Sequence, residues 1–316
     1  MSQGLTYTLN TGAVMPALGL GTFESNNDSD KVAVKTAVKV ALETGYRMID
    51  VAYCYGNQKQ VGEGLEEVFD SNLVKREDLF ICGKLWNTFH RKELVQTGLD
   101  LTLEELGVDY LDLFIMHWPV AFQPGPDNYP QDANGEWLID NVDYIETWLA
   151  MEKLLETGKV KAIGVSNFNI PKLERLLKAA HITPAVNQCE LHPYLAQNEL
   201  IRYCEERGIH MMAYSPLGGP KSPRTLDDPL IKVIADKHKR PLAQVMTSWA
   251  IQRGTSVIPK SANPERVKAN FVHFELPQED IDALNELGKK HHRRHCDSFD
   301  MWGVVTFDDD PKDSGH

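Results

Sequence analysis

The chain has 316 residues, of which 42% are hydrophobic and 25% are charged, and its formal net charge is −12 at pH 7. This charge argues against general binding to nucleic acids or anionic membranes, although a local basic pocket is compatible with it. Five scattered cysteines without a Cys-x-x-Cys pair, and an N-terminus without signal-peptide features, are typical of a reduced, soluble cytoplasmic protein. No apolar stretch approaches the ~20 residues that span a bilayer.

A repeating unit runs along the chain, in which a polar helix end is followed by a glycine and then by an apolar run. In the first unit, apolar side chains within residues 29–44 recur at the spacing of one helical face, which predicts a helix. The glycines supply the left-handed residue with which many helices end. They are Gly45, Gly107, Gly158, Gly208 and Gly254.

Eight apolar runs alternate with the helical segments and are predicted to be strands. Three of them lie outside the five repeating units, near Leu18, Ile81 and Val186. Because the runs are apolar almost throughout, both of their faces are expected to be covered, as in a parallel sheet with helices outside it. Eight alternating units predict a closed (β/α)8 TIM barrel. The alternative is a doubly wound sheet, but its glycine-rich turn would need a third glycine where Glu24 stands.

The segments outside these units are assigned to the two ends of the barrel. An Asn-Thr-Gly turn at residues 10–12 lies between two short extended pieces and predicts an N-terminal β-hairpin that closes the bottom. Residues 119–141 and 290–316 are predicted to be a long loop and a C-terminal tail at the top, and loops of such length are often functional. Since no linker interrupts the pattern, residues 1–316 are predicted to form a single domain.

Polar side chains follow seven of the predicted strands at the point where each strand ends. In a barrel of this type the C-terminal ends of the strands share one rim, which carries the active site. We therefore expect these side chains to lie around one mouth. They are Asp50, Lys84, His117, Ser166 with Asn167, Gln188, Tyr214 with Ser215, and Lys260 with Ser261.

Tyr55 lies on the loop after the second strand, close enough to fold back over the same mouth. A tyrosine with the ordinary pKa of ~10 is a poor proton donor near neutrality, and a nearby ammonium such as that of Lys84 is expected to lower this pKa. Asp50 is expected to pair with Lys84 and hold it, while His117 donates a second hydrogen bond. Such a set suits protonation of a carbonyl oxygen and is poorly suited to nucleophilic hydrolysis.

Short motifs in order along the chain, within residues 9–270, resemble the aldo-keto reductase superfamily and specifically its aldose-reductase-like branch. They are GAVMPALGLGTF, GYRMIDVAYCYGN, KLW, HWP, KVKAIGVSNF, NQCELHP, YSPLG and IPKSANPERVKAN. The resemblance implies a reversible reduction of an aldehyde by NADPH. It also implies a catalytic tetrad, which consists of Asp50, Tyr55, Lys84 and His117.

The resemblance implies that residues from four strands hold NADPH. Hydrogen bonds to the nicotinamide carboxamide are assigned to Ser166, Asn167 and Gln188, and stacking on the ring is assigned to Tyr214. The remaining contacts run from the pyrophosphate through the 2′-phosphate to the adenine, and they are assigned to Ser215, Leu217, Lys260, Ser261, Arg266 and Asn270. Two cations close in sequence form a phosphate pocket on an otherwise acidic protein, which favours NADPH over NADH.

Four aromatic residues are predicted to line the substrate pocket: Phe23, Trp86, Trp118 and Trp302. For Trp302, anchoring of the tail to the barrel is an equally good interpretation. Resemblance to fungal and plant-type reductases implies small hydroxylated aldehydes as substrates, namely glyceraldehyde, erythrose, xylose or arabinose, without a ranking among them. Phe23 departs from the family pattern, in which many aldose reductases have a tryptophan.

The remaining interpretations concern alternative functions, a metal site and binding partners. The same tetrad would serve an NADP-dependent polyol dehydrogenase that acts on glycerol or an alditol, and a non-catalytic NADPH-binding scaffold is the other alternative. His291 and His295 are four residues apart, but without an evident acidic partner we predict no metal site. The protein is expected to be a monomer or a weak homodimer that binds neither nucleic acid nor membrane.

Overall fold

The computed structural model describes residues 4–23, 28–219 and 224–309 of the chain. The strands are β1 Thr6–Thr8, β2 Val14–Pro16, β3 Leu20–Gly21, β4 Met48–Asp50, β5 Phe80–Leu85, β6 Leu113–Met116, β7 Ala121–Phe122, β8 Ile139–Asp140, β9 Ile163–Ser166, β10 Val186–Glu190, β11 His210–Tyr214 and β12 Ser256–Val257. The helices are α1 Asp28–Thr44, α2 Gln58–Asp70, α3 Val95–Leu106, α4 Tyr144–Leu154, α5 Ile170–Ala179, α6 Asn198–Glu205, α7 Pro229–His238, α8 Leu242–Gln252, α9 Pro264–Asn270, α10 Gln278–Lys290 and α11 Ser298–Trp302.

Eight of the described strands form one parallel sheet, in the order β3-β4-β5-β6-β9-β10-β11-β12. Its two end strands meet, because parallel bridges join Leu18 to Val257 and Gly21 to Lys260. The predicted (β/α)8 barrel is therefore confirmed, and the doubly wound alternative, which has two open edges, is wrong. Glu24, where that alternative would need a glycine, lies outside the described residues.

Helices cover the outside of the barrel because each has one apolar face. In α1 the apolar positions at the spacing of one helical face are buried and pack in the cluster that joins the helices to the outer face of the strands; they are Val34, Ala37, Val38, Ala41 and Leu42. All five predicted helix-terminating glycines have positive φ angles, from 65° at Gly107 to 119° at Gly45. The helix–glycine–strand unit that the sequence predicts is therefore confirmed.

The N-terminal hairpin closes the barrel at the end where the strands begin. β1 and β2 pair in antiparallel register, and Gly12 in the connecting turn has a φ of 83°. Leu9 and Met15 are buried in the cluster inside the barrel, against Met48 and Phe80 at the starts of β4 and β5. The hairpin therefore fills the bottom of the barrel, as the sequence predicts.

The long segment at residues 119–141 contains more regular structure than predicted. β7 and β8 pair within it as a second antiparallel hairpin, through Ala121 with Asp140 and Phe122 with Ile139. The C-terminal tail adds the short helix α11, and residues 310–316 of the predicted tail lie outside the described ranges. No helix in the described part of the chain has the length and apolar character that a membrane crossing requires.

Truncation of Met15 tests the hairpin's role as the bottom of the barrel. Met15 is fully buried, whereas its neighbour Val14 on the same strand is 59% exposed. We expect Met15→Ala to lower the free energy of unfolding by about 2–5 kcal/mol, because it leaves a cavity in the barrel interior. Val14→Ala should lower it by less than about 1 kcal/mol. Urea denaturation measures both values, and equal losses would contradict the assignment.

Candidate active site

Two buried residues of opposite charge lie at the C-terminal ends of the neighbouring strands β4 and β5. Lys84 Nζ donates hydrogen bonds to Asp50 Oδ1 at 2.5 Å and to the Val51 carbonyl at 2.9 Å. Gln188 Nε2 donates to the other carboxylate oxygen, Asp50 Oδ2, at 2.7 Å. Burial, the largest single effect, lowers the pKa of Lys84, but the attraction of Asp50 and other neighbours outweighs it and raises the pKa overall. The lysine is therefore a charged ammonium at neutral pH.

Tyr55 lies beside this ammonium, on the short 3-10 turn that follows β4. Lys84 Nζ is 5.2 Å from the centre of the phenol ring, so its charge acts on the Tyr55 hydroxyl. Burial raises the pKa of Tyr55, and Lys84 only partly opposes it. The lowered pKa expected from the sequence is therefore wrong in its net direction, because the desolvation of the phenol outweighs the charge of Lys84, which the charge of Asp50 also opposes.

His117 follows β6 and completes the group of four predicted residues. Its backbone carbonyl accepts a hydrogen bond from Asn167 Nδ2 at 2.9 Å. Its ring lies edge-on to Tyr55, with 6.0 Å between ring centres, and to Trp86 at 5.2 Å. Burial, followed by the charge of Lys84, lowers the pKa of His117 well below its usual value, so the imidazole is neutral. The structure brings all four predicted tetrad side chains to one end of the barrel.

The residues predicted to hold the nicotinamide form a hydrogen-bonded group beside the tetrad. Ser166 Oγ donates to the Gln188 carbonyl at 2.8 Å, and Asn167 Nδ2 lies 3.1 Å from Ser166 Oγ. Tyr214 donates its hydroxyl hydrogen to Asn167 Oδ1 at 2.8 Å. Asn167 has a φ of 63°, a conformation that non-glycine residues adopt rarely and that these bonds hold. These side chains stand at the ends of the adjacent strands β9, β10 and β11.

The residues predicted to bind the cofactor phosphates follow the last two strands. Lys260 and Arg266 are exposed, whereas Ser261 and Asn270 are buried. Asn263 caps α9 by accepting the backbone N–H of Arg266 at 3.0 Å, which ties this segment into one turn. The other two predicted residues are Ser215 and Leu217, which lie on the loop after β11. β11 pairs with β12 in the sheet. Exposed guanidinium and ammonium groups on one segment suit a phosphate group.

The four predicted pocket aromatics surround the tetrad, but they differ in exposure. Phe23 is 57% exposed and lies edge-on to Tyr55 at 5.1 Å. The three tryptophans are buried against one another, and Trp302 lies 5.0 Å from Trp118 and 6.1 Å from Trp86. Trp302 therefore fixes the tail to this aromatic cluster, and its part in substrate binding stays a prediction.

Two further side chains reach the site, although the motifs do not identify them. Cys54 is buried, and its Sγ lies 3.6 Å from His117 Nδ1. Tyr129 comes from the long loop after β6 and packs edge-on against Trp86 at 5.2 Å. Because Cys54 directly precedes Tyr55, the sequence could have indicated that Cys54 lies near the site. Nothing in the sequence indicates that Tyr129 is the residue of the long loop that folds back to it.

The tail is fixed to the barrel by a buried carboxylate at the end of β10. Glu190 accepts the backbone N–H groups of His295 at 2.8 Å and Cys296 at 2.7 Å, and His192 Nε2 lies 2.8 Å from Oε1. His295 thus has the acidic neighbour that the sequence did not reveal, and Glu190, His192 and His295 offer possible metal-ligand atoms within 4.8 Å of one another. Because both carboxylate oxygens already accept hydrogen bonds, the group acts as an anchor for the tail.

Comparisons with known proteins agree with this geometry. Residues 17–289 match the aldo/keto reductase family. Aldo-keto reductase family 1 member A1 from Cricetulus griseus is 43% identical over 321 aligned positions, which cover 98% of this chain and 95% of the relative. Glycerol 2-dehydrogenase (NADP(+)) from Hypocrea jecorina is 43% identical over 308 positions, which cover 94% and 96% of the two chains. The solved structure of the aldose reductase from Schistosoma japonicum superposes with a TM-score of 0.88 at 38% identity, covering 99% and 100% of the two chains. This chain belongs to the aldo/keto reductase family.

Proposed function

We propose that the protein is an NADPH-dependent reductase that converts small hydroxylated aldehydes and aldoses, such as glyceraldehyde, erythrose and pentoses, into alcohols. The single observation that carries the proposal is the position of the Tyr55 ring beside the buried Lys84 ammonium, which lies 5.2 Å from the ring centre and is itself paired with Asp50. In this assignment Tyr55 is the general acid, and residues 1–316 form one catalytic domain.

Three side chains, those of Tyr55, His117 and Lys84, act together to stabilise the negative charge that develops on the carbonyl oxygen. When bound, a reduced nicotinamide supplies the hydride that the carbonyl carbon accepts. Tyr55 gives its proton to the carbonyl oxygen, and the neutral ring of His117 donates a hydrogen bond to the same atom. Because burial raises the pKa of Tyr55, the phenol keeps its proton at neutral pH until a stronger base, the developing alkoxide, is in place. Lys84 then stabilises the phenolate that remains.

The polar group around Asn167 supports the position of the nicotinamide. Its amide and hydroxyl groups suit a carboxamide, which both donates and accepts hydrogen bonds, and they lie next to the tetrad through the Gln188–Asp50 bond. Lys260 and Arg266 would hold the 2′-phosphate that distinguishes NADPH from NADH. The name of the Hypocrea jecorina relative, which specifies NADP(+), supports the same preference.

Oxidation of a polyol is the second candidate function, and one relative is named for it. The same four residues would act in reverse, with Tyr55 as a phenolate that removes the hydroxyl proton. The raised pKa of Tyr55 leaves little phenolate at neutral pH, which favours the reductive direction there. A non-catalytic scaffold has less support, because a buried, fully paired Asp50–Lys84 group beside Tyr55 serves proton transfer and is not needed for cofactor binding.

Replacement of Tyr55 tests the general acid. We expect Tyr55→Phe to lower kcat for glyceraldehyde reduction by about 100-fold or more, because the proton donor is lost, while the Kd for NADPH stays within about twofold. Tyr53→Phe on the same turn is the matched control and should keep near-normal turnover, since its ring packs edge-on against Phe89. NADPH absorbance measures turnover, and fluorescence titration measures the Kd. Normal turnover by the Tyr55 variant would remove this residue as the acid.

Replacement of the two exposed cations tests the choice of cofactor. We expect Lys260→Met and Arg266→Ala each to raise the Kd for NADPH about tenfold or more, and the Kd for NADH by less than about twofold, because only NADPH carries the 2′-phosphate. Lys268→Ala is the control, since Lys268 lies on the helix α9 that also carries Arg266, and its side chain pairs with Glu265 at 3.1 Å. Equal weakening of both cofactors would contradict the phosphate assignment.

The pH dependence of the two directions tests the ionisation of Tyr55. A raised pKa keeps the phenol protonated at neutral pH, so reduction has its donor there, and the phenolate needed for oxidation forms only as pH rises. We expect kcat for glycerol oxidation with NADP+ to increase from pH 7 to pH 10, whereas kcat for glyceraldehyde reduction does not increase. Oxidation that is fastest at pH 7 would count against Tyr55 as the base.

A further inference from the structure

The buried thiol of Cys54 contacts the ring of His117, which the mechanism uses only at its other nitrogen. Sγ lies 3.6 Å from His117 Nδ1, which is within hydrogen-bonding distance for sulfur. Cys54 also belongs to the aromatic cluster that contains Trp86 and Trp118, so solvent is kept from this contact. The thiol is therefore placed to act on one particular nitrogen of the ring.

Both partners are neutral at physiological pH, so the position of one proton decides what the ring can do. Burial, together with the charge of Lys84, keeps the imidazole of His117 unprotonated. Burial raises the pKa of the Cys54 thiol to about 12, so the thiol keeps its hydrogen. A neutral imidazole has one N–H donor and one acceptor nitrogen. If the thiol donates to Nδ1, the ring hydrogen must be on Nε2.

Tyr129 is a second side chain beside the Cys54 thiol, and its ring packs edge-on against Trp86 at 5.2 Å. The Tyr129 hydroxyl and the Cys54 thiol each affect the pKa of the other, and burial raises the pKa of Tyr129, so this hydroxyl is also protonated. The loop that carries it is held in place because Trp86 Nε1 donates to the Asn128 carbonyl at 2.6 Å. If this hydroxyl donates to sulfur, the thiol hydrogen can point to His117 Nδ1, which lies 3.6 Å from Sγ.

We propose that Cys54 and Tyr129 are positioning residues that hold His117 as its Nε2–H tautomer, through a series of hydrogen bonds from the Tyr129 hydroxyl to the Cys54 thiol and from the thiol to His117 Nδ1. Neither residue needs to touch the substrate. The inference rests on the proposed function in one respect, namely that Nε2–H is the donor to the carbonyl oxygen. In the opposite tautomer Nε2 would be an acceptor and would repel the developing negative charge.

Substitution of Cys54 can interrupt this series of hydrogen bonds without a large change in side-chain volume. Cys54→Val removes the donor, and Cys54→Ser keeps a hydroxyl that can donate to Nδ1. We expect kcat for glyceraldehyde reduction to fall about fivefold to tenfold in the valine variant and by less than about threefold in the serine variant. The KM and the Kd for NADPH should stay within about twofold in both variants. Tyr129→Phe, which leaves the thiol in place, should lower kcat by about two- to threefold.

A second measurement reads the tautomer directly. In the complex with NADP+, 15N spectra of histidine-labelled protein should show His117 as Nε2–H in the wild type and in Cys54→Ser, and a substantial population of Nδ1–H in Cys54→Val. A valine variant with wild-type kcat and an unchanged spectrum would overturn the inference, as would a serine variant as impaired as the valine one. If the wild-type protein reduced no aldehyde, the proposed function would fail, whereas the spectra would still decide the tautomer.

Discussion

The buried pair of Asp50 and Lys84 is the interaction on which the rest of the site depends. Both side chains are almost completely inaccessible to solvent, and removal of one partner from such a pair costs about 3–5 kcal/mol because the other charge is left uncompensated. The remaining hydrogen-bonding capacity is filled by the Val51 carbonyl and by Gln188. Since Gln188 comes from β10, which is not a neighbour of β4 in the sheet, one carboxylate connects opposite parts of the barrel mouth.

This pair also sets the charge states of the two residues beside it. The ammonium of Lys84 adds to the effect of burial on His117 and keeps the ring neutral, while it opposes the effect of burial on Tyr55. A neutral hydrogen-bond donor and a protonated phenol can both face an oxygen that gains negative charge. Residue type alone does not determine the protonation states of His117 and Tyr55, because each state depends on how completely the folded barrel excludes water from the side chain.

The sequence predicts the site well where strand periodicity decides the outcome. Asp50, Lys84 and His117 come together because parallel strands in a barrel end at one rim, and the place of each at the end of an apolar run is visible in the sequence. The hairpin at the bottom is likewise predictable from its Asn-Thr-Gly turn. The pKa of Tyr55 cannot be predicted from the sequence, because it reflects the balance between the desolvation of the phenol and the charge of Lys84. Both of these effects depend on the packed structure.

Contacts between distant segments are the second kind of feature that the sequence leaves open. The bond from Gln188 to Asp50 joins residues 138 positions apart, and the contact of Glu190 with the tail joins residues 105 positions apart. Local propensity carries no information about such pairs. The same limit applies to Tyr129, since the pattern of its loop does not indicate which side chain returns to the barrel mouth.

The two long-range contacts of β10 have a common consequence for the aromatic pocket. Alternate residues of a strand face the same side, so Gln188 and Glu190 lie on the same face of β10. Gln188 completes the charge pair, and two residues later Glu190 fixes the tail whose Trp302 covers Trp118. The roof of the aromatic pocket is therefore positioned by the same strand that completes the Asp50–Lys84 pair, so that one strand fixes both the pocket aromatics and the charge pair beside Tyr55.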